Sequence, residues 1–141
     1  MITPLNLGIK LPTHKLSESK WFYKNLLGLQ ITKETKEIVV FEQGLSLVPD
    51  ANYSTSQYGG SSVRTLVYLE VVDLETLFYR LRDVGINILS PPSPWNNSKR
   101  TYFACNDPDG NIIEIFSAKE SSIIPKVPVG YAGGFQCDYP A

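Results

Sequence analysis

The fold is decided by the stretch TLVYLEVVDLETLFYRLRDVG, residues 65–85, in which one apolar pattern gives way to another. Its beginning alternates between two sets of side chains, Thr65, Val67, Leu69 and Val71 against Leu66, Tyr68 and Glu70. A period of two predicts a strand whose two faces differ in character. Apolar residues then recur at helical spacing, at Leu74, Leu77, Phe78, Leu81 and Val84. Asp73 can cap the start of this predicted helix, and Gly85 can end it.

Three further strands are predicted after this helix, over residues 86–89, 100–105 and 111–116. The stretch Asp107-Pro108-Asp109-Gly110 has the composition of a turn between the last two. Residues 64–118 are therefore predicted to form a module with the order strand, helix, strand, strand, strand.

An earlier stretch, about residues 5–49, has the same order and forms a first module. Its first strand is predicted over residues 5–11, with Leu5, Leu7, Ile9 and Leu11 on the buried face. A helix over residues 18–27 follows Ser17 as its N-cap and ends at Gly28. Its apolar stripe consists of Trp21, Phe22, Leu26 and Leu27. Three short strands then complete the module, over residues 29–32, 37–41 and 45–48.

The two modules repeat at a period of about sixty residues, which is long for a solenoid repeat and suits a duplicated unit. We therefore predict an α+β fold of two tandem βαβββ modules within one domain, residues 1–141. Residues 50–63 have no apolar period and are predicted to be a linker or long loop. Residues 119–141 also lack a helical or strand period and are predicted to form an irregular tail.

Composition limits the partners and the location that can be expected. The chain has 13 Lys and Arg against 14 Asp and Glu, and the basic residues are scattered, which argues against nucleic acid as a partner. No stretch is apolar enough for a signal or a membrane span, so we expect a cytoplasmic protein with no membrane partner. The two cysteines, Cys105 and Cys137, cannot build a disulfide framework, and Cys105 is predicted to be a small core residue.

Two motifs carry a resemblance to a known family. The stretch FYKNLLGL, residues 22–29, and the stretch NDPDGNIIEIF, residues 106–116, resemble the vicinal oxygen chelate superfamily. That superfamily includes glyoxalase I, bleomycin-resistance proteins and extradiol dioxygenases, and the resemblance covers about residues 5–118. It implies that the eight strands form a partly open barrel around a ligand cavity.

The resemblance also implies where a divalent metal would be held, by a first-strand and a last-strand residue of each module. These ligands are usually His, Gln or Glu. In the family's spacing the four positions fall at Gly8, at Leu66, within residues 45–48 and at Glu114. Since Glu114 alone is a suitable ligand, we predict that the cavity holds no metal and no other cofactor. The single histidine, His14, is predicted to be an exposed loop residue.

Alternation along the strands predicts which side chains face the cavity. The predicted ligand-binding residues are Lys10, Tyr68, Glu70, Trp95, Tyr102 and Glu114. Trp95 is included because the proline-rich connection over residues 91–98 often borders the cavity mouth in the family. The alternatives are that Lys10 and Glu70 point to solvent and that Trp95 packs its loop onto the barrel.

Two main functions are compatible with these residues. The first is metal-independent binding of a small aromatic or heteroaromatic molecule, which resembles bleomycin-resistance proteins. The second is a lyase, isomerase or dioxygenase-like enzyme that uses Glu114 as an acid or base, or as a ligand of an atypical metal site. A third is an assembly role with a vestigial cavity. The fold does not choose among these, because the superfamily supports several chemistries.

Assembly is the last expectation from the sequence. Many members of the family pair modules across subunits, and the first strand of each module is a sheet edge that needs cover. We therefore expect a homodimer that binds a small-molecule ligand.

Overall fold

The computed structural model describes residues 2–49, 65–96 and 99–118 of the chain. The predicted linker and the predicted tail lie outside these residues. The order strand, helix, strand, strand, strand occurs twice, which confirms the predicted α+β class. The elements are β1 (Ile9–Thr13), α1 (Leu16–Trp21), β2 (Ile31–Glu34), β3 (Val39–Phe41), β4 (Leu45–Pro49), β5 (Leu66–Val71), α2 (Leu74–Asp83), β6 (Ile88–Pro94), β7 (Thr101–Asn106) and β8 (Ile112–Ser117).

Each module builds its own four-stranded sheet. The strand order is β1-β4-β3-β2 in module one and β5-β8-β7-β6 in module two. In both sheets the first strand pairs in parallel with the last strand, and the remaining pairs are antiparallel. The chain divides between Thr65 and Leu66 into two compact units, one for each module.

The core of module two lies between α2 and one face of its sheet. Asp73 caps the helix as predicted, because its Oδ1 accepts a hydrogen bond from the Thr76 amide at 3.1 Å. The apolar stripe is buried apart from Val84, which is exposed. The rings of Phe78 and Phe103 meet edge to face at 5.3 Å, with Ile113 buried on the same face of the sheet.

The helix of module one differs from the prediction. It begins at Leu16, with Lys15 rather than Ser17 at the N-cap, and it continues as a π-helical turn over Phe22–Leu26. The Leu27 amide donates to the Phe22 carbonyl at 3.1 Å, five residues back instead of four. The helical spacing is therefore broken, so that Tyr23 is buried and Trp21 is half exposed.

Strand β1 is also displaced, since it covers Ile9–Thr13 instead of residues 5–11. Its register begins where Ile9 pairs with Leu45. Leu5 and Leu7 lie before the strand and are 98% and 89% exposed, so the predicted burial of this pair is wrong. Pro12 is accommodated within the strand because β1 is an edge strand of the described sheet and needs hydrogen bonds on one side.

Strand β6 is longer than predicted. It continues through the prolines to Pro94, although residues 91–98 were predicted to be a connection. It pairs with β7 through two register shifts, on either side of Ser90. Prolines are tolerated at edge strands and bulges, and β6 has both features.

The predicted turn at Asp107 is present as a closed hydrogen-bonded loop. Asp107 Oδ1 accepts from the amides of Asp109 at 3.0 Å and Asn111 at 2.8 Å, and Gly110 adopts a φ of 86°. This turn sets the antiparallel register of β7 and β8. Among the helices that the structure describes, none is long and apolar enough to cross a membrane.

Candidate ligand-binding site on module two

The candidate site lies on the sheet face of module two that points away from α2. The parallel pairing of β5 with β8 sets Tyr68 beside Glu114 and Glu70 beside Phe116. The antiparallel pairing of β8 with β7 then adds Tyr102 beside Phe116. Side chains alternate across a sheet, and Phe103 and Ile113 point to α2, so these residues share the opposite face.

This face borders a cavity of about 410 Å³. The described residues that line it belong to module two and are Leu66, Tyr68, Glu70, Trp95, Arg100, Glu114 and Phe116. Four of the six predicted ligand-binding residues are among them, namely Tyr68, Glu70, Trp95 and Glu114. Whether they bind a ligand stays a prediction.

Four rings form an aromatic cluster, which we define as Tyr68, Trp95, Tyr102 and Phe116. Phe116 lies at its centre, with ring centroids 5.2 Å from Trp95, 5.5 Å from Tyr102 and 5.9 Å from Tyr68. Trp95 also meets Tyr102 edge to face at 5.2 Å. Tyr68 is 64% exposed and Trp95 is 39% exposed, so the cluster presents apolar area to solvent instead of closing on itself.

Trp95 reaches the cluster because β6 extends to Pro94 and delivers it at the strand end. Its amide donates to the Arg100 carbonyl at 2.9 Å, which fixes the start of the return to β7. The tryptophan therefore both packs against the rings of the sheet and lines the cavity.

The charged residues at the cavity differ in whether another described residue pairs with them. The Arg100 guanidinium lies 3.1 Å from Glu70 Oε1, and its Nε donates to the Ser117 carbonyl at 3.0 Å. Glu70 is therefore partly exposed to solvent and also paired with Arg100 at the cavity. Glu114 is half-buried and, within residues 2–49, 65–96 and 99–118, forms neither a hydrogen bond nor an ion pair.

Two predicted residues lie elsewhere. Tyr102 is the half-buried member of the cluster. It contacts Trp95 and Phe116 and does not line the cavity. Lys10 belongs to β1 of module one, where it pairs with Ser46 and is exposed, so the cavity of module two does not test its predicted role.

Arg100 was missed as a site residue, although a signal was present. It has the same parity as Tyr102 along β7, and this alternation would have placed both on the cavity face. Although Arg100 begins the strand predicted over residues 100–105, it was not included among the predicted ligand-binding residues.

The donor set does not fit the metal site that the family implies. Leu66 occupies the first-strand position of module two, beside Ile112. At Gly8 an added Cβ would meet the Gly44 carbonyl at 3.4 Å, so the position holds two backbones close together and offers no side-chain donor. In the described part of the chain, no three His, Cys, Asp or Glu side chains come together.

Cys105 takes no part in the site. It is fully buried on the α2 side of β7, as predicted for a core residue. Burial, followed by the nearby Asp107 charge, raises the pKa of its thiol to about 12. The thiol therefore stays protonated at neutral pH.

The fold and this site define a class of protein. Residues 8–120 match the model of the glyoxalase-like domain, so the chain belongs to the glyoxalase-like domain family, in line with the resemblance to the vicinal oxygen chelate superfamily. A comparison with curated proteins gave no match.

Solved structures with the same fold cover most of the chain. A protein of unknown function from Agrobacterium tumefaciens str. C58 has a TM-score of 0.71 at 22% identity, covering 84% of this chain and 98% of its own. A lactoylglutathione lyase from Agrobacterium tumefaciens has a TM-score of 0.66 at 19% identity, with 86% and 99% covered. A glyoxalase/bleomycin resistance protein/dioxygenase from Nocardioides has a TM-score of 0.61 at 25% identity, with 91% of each chain covered.

Proposed function

We propose that the protein binds a small aromatic or heteroaromatic molecule on the aromatic cluster of module two, without a metal. The observation that carries this proposal is the exposure of the cluster beside a cavity of about 410 Å³. Ligand pockets combine apolar walls with a few orienting polar groups, and this cavity is lined by three rings of the cluster, Tyr68, Trp95 and Phe116, together with Glu114.

The energetics of the cluster favour a planar ligand. Exposed aromatic faces gain from stacking, and each ring pair contributes about 0.5–1.5 kcal/mol beyond the apolar area that it buries. A flat molecule that covers Tyr68 and Trp95 would bury the two most exposed rings of the cluster. The binding energy therefore comes from area and stacking, and the polar groups fix the orientation.

The proposal includes no metal because the side chains at the implied metal-ligand positions do not form a metal site. Leu66, for example, stands at the first-strand position of module two, where a metal ligand is needed. Elemental analysis of the purified protein is expected to give no stoichiometric zinc, iron, manganese or nickel. About one such ion per chain, lost in Glu114→Ala, would contradict this part of the proposal.

The tryptophans allow a direct test of the binding part, because the chain has two, Trp21 and Trp95. Wild-type protein is titrated with phenazine, acridine and 1,4-naphthoquinone, and tryptophan emission is recorded together with binding heat. Trp21→Phe should retain the quenching of emission. Trp95→Phe should lose most of it while retaining binding heat, because a ring remains for stacking. Quenching that survives in Trp95→Phe, or no binding by any of the three compounds, would refute the proposal.

A second candidate function is an enzyme in which Glu114 acts as acid or base. It is favoured by the cavity-facing carboxylate, which lacks a partner in the described part of the chain and could reach a bound molecule. The names of the similar structures include both lyase and resistance protein, so they favour neither candidate. Chromatography coupled to mass spectrometry, applied to a bound compound after prolonged incubation, separates the two, since only an enzyme changes the mass of the compound or converts it to an isomer with a different retention time.

A further inference from the structure

The charges around the aromatic cluster limit the kind of ligand that fits. We propose that the module-two cavity selects planar aromatic cations. This inference rests on the proposed function and narrows the class of ligand. Among the residues that the structure describes, three charged side chains line the cavity, those of Glu70, Arg100 and Glu114.

The positive charge of Arg100 is already engaged. Arg100 lies 3.1 Å from Glu70 Oε1 and also donates to the Ser117 carbonyl. An anionic ligand would have to displace Glu70 from Arg100 and approach Glu114 as well. The negative charge of the ligand and the negative charges of Glu70 and Glu114 would repel each other, and this repulsion grows as water is excluded. The site therefore disfavours anions.

Within the described part of the chain, no basic side chain pairs with the Glu114 carboxylate. Its neighbours in the sheet are Tyr68 on β5 and Ala104 on β7. Ala104 has no polar side chain, and the described residues offer no donor to the Glu114 carboxylate. A neutral ligand without a hydrogen-bond donor that covers Glu114 would strip the carboxylate of water without replacing the lost hydrogen bonds, which is unfavourable.

The rings next to Glu114 also favour a positively charged ligand. Aromatic faces are electron-rich and attract cations, tryptophan most strongly. Tyr68 and Trp95 each stand at 80° to the Phe116 ring, one from β5 and the other from the end of β6. A planar cation can therefore stack on a ring while its charge faces both the π surfaces and the Glu114 carboxylate.

The test uses three probes of nearly the same shape, 10-methylacridinium, acridine and acridine-9-carboxylate, at a pH where acridine is neutral. Binding to wild-type protein is measured by calorimetry. The cation is expected to bind about tenfold more tightly than neutral acridine, and the carboxylate more weakly than either. Glu114→Gln should bring the affinities for cation and neutral probe within about twofold. Glu75→Gln, which removes a charge on α2 and away from the cavity, should leave the tenfold preference unchanged.

A salt titration keeps the test independent of whether Glu114→Gln folds. In wild-type protein, the affinity for 10-methylacridinium should fall as NaCl is raised from about 0.05 M to about 0.5 M, while that for acridine should not. Equal affinities for cation and neutral probe, or a preference retained in folded Glu114→Gln, would overturn the inference and leave the proposed function standing. If none of the three probes binds, both fail.

Discussion

Phe116 and Phe103 lie on adjacent strands and face opposite sides of the same sheet. Phe116 is half-buried among three rings, whereas Phe103 is fully buried against Phe78. The two residues therefore allow a comparison between a site role and a core role for the same side chain.

We expect Phe103→Ala to reduce the free energy of unfolding by about 3–5 kcal/mol, as a cavity opens under α2. Phe116→Ala should reduce it by about 1–2 kcal/mol, because ring contacts are lost at a solvent-open site, and should weaken ligand binding because Tyr68 and Trp95 lose the ring that they pack against. Urea denaturation and calorimetry measure the two quantities. Similar losses of stability in both variants would contradict the assignment of the two faces.

Cys105 provides a second prediction for a single residue. Because burial raises the pKa of its thiol to about 12, the native protein should not react with a disulfide reagent at neutral pH. The measurement needs Cys137→Ser, which leaves Cys105 as the sole thiol. Rapid labelling of this variant without denaturant would contradict the buried position.

The raised pKa of Cys105 also affects stability at alkaline pH. The folded thiol holds its proton to a higher pH than the unfolded thiol, whose pKa is about 8.5. The associated stability is complete below that value and is lost as the pH rises towards the folded value of about 12. Cys105→Ala is therefore expected to show a weaker fall in melting temperature at alkaline pH than the protein that retains the thiol.

Most residues of the cavity face could be predicted from the sequence, because the two-residue period of a strand determines the face to which each side chain points. Tyr68, Glu70 and Glu114 share this face in the structure. Their mutual contacts could not be derived, because the period gives the face and not the register between strands. The Glu70 pair with Arg100 needed the β5–β8–β7 order, which the sequence does not state.

At the scale of elements, Asp73 makes a testable contribution to the start of α2. Hydrogen bonds from the Thr76 side chain and amide lower the pKa of its carboxyl group. The stabilisation is present above the pKa of the unfolded carboxyl, about 3.9, and is lost as the pH falls through the lower folded value. Asp73→Ala should therefore melt at a lower temperature at neutral pH, and the difference should shrink in acid.

The matched control for this prediction is Glu75→Gln, which removes a charge from the same helical turn without removing the cap. Thermal melts followed by circular dichroism at neutral and acid pH give the comparison. An equal loss in both variants would show that charge at the helix terminus, and not the capping hydrogen bond, is responsible.

Element boundaries were predicted well where the local signals agreed. Asp73 and Gly85 bracket α2, and Gly85 has the expected positive φ of 85°. The errors in β1 and β6 have one physical origin, since strand pairing overrode a local rule, whereas the error in α1 comes from the π-helical turn. Proline was read as a strand terminator, yet an edge strand tolerates it, and helical spacing does not anticipate a π turn.

At the scale of the whole molecule, we propose a homodimer. Strands β1 and β5 each pair on one side in the described sheets, and the segment before β1 exposes Ile2, Leu5 and Leu7. Exposed apolar groups beside an open strand edge are typical of surfaces that are covered in an assembly. Light scattering at micromolar concentration should give twice the chain mass.

Variants of the exposed segment test which surface forms the dimer. The double variant Leu5→Ser with Leu7→Ser should shift the protein towards monomer without lowering its melting temperature much, since neither side chain is buried in the single chain. Val84→Ser, a change of an exposed apolar residue at the C-cap of α2, is the control and should leave the mass unchanged. A wild-type monomer would refute the proposal.

The parallel pairing of β5 with β8 has a consequence for how the protein is made. During synthesis β5 leaves the ribosome early, but its hydrogen-bonded neighbour, Ile112–Ser117, comes at the very end of the module. A nascent chain that stops before Ile112 lacks Glu114 and Phe116, and Tyr68 has no strand beside it. Ligand recognition should therefore arise in one step, when the last strand emerges, and translation products that end earlier should bind nothing.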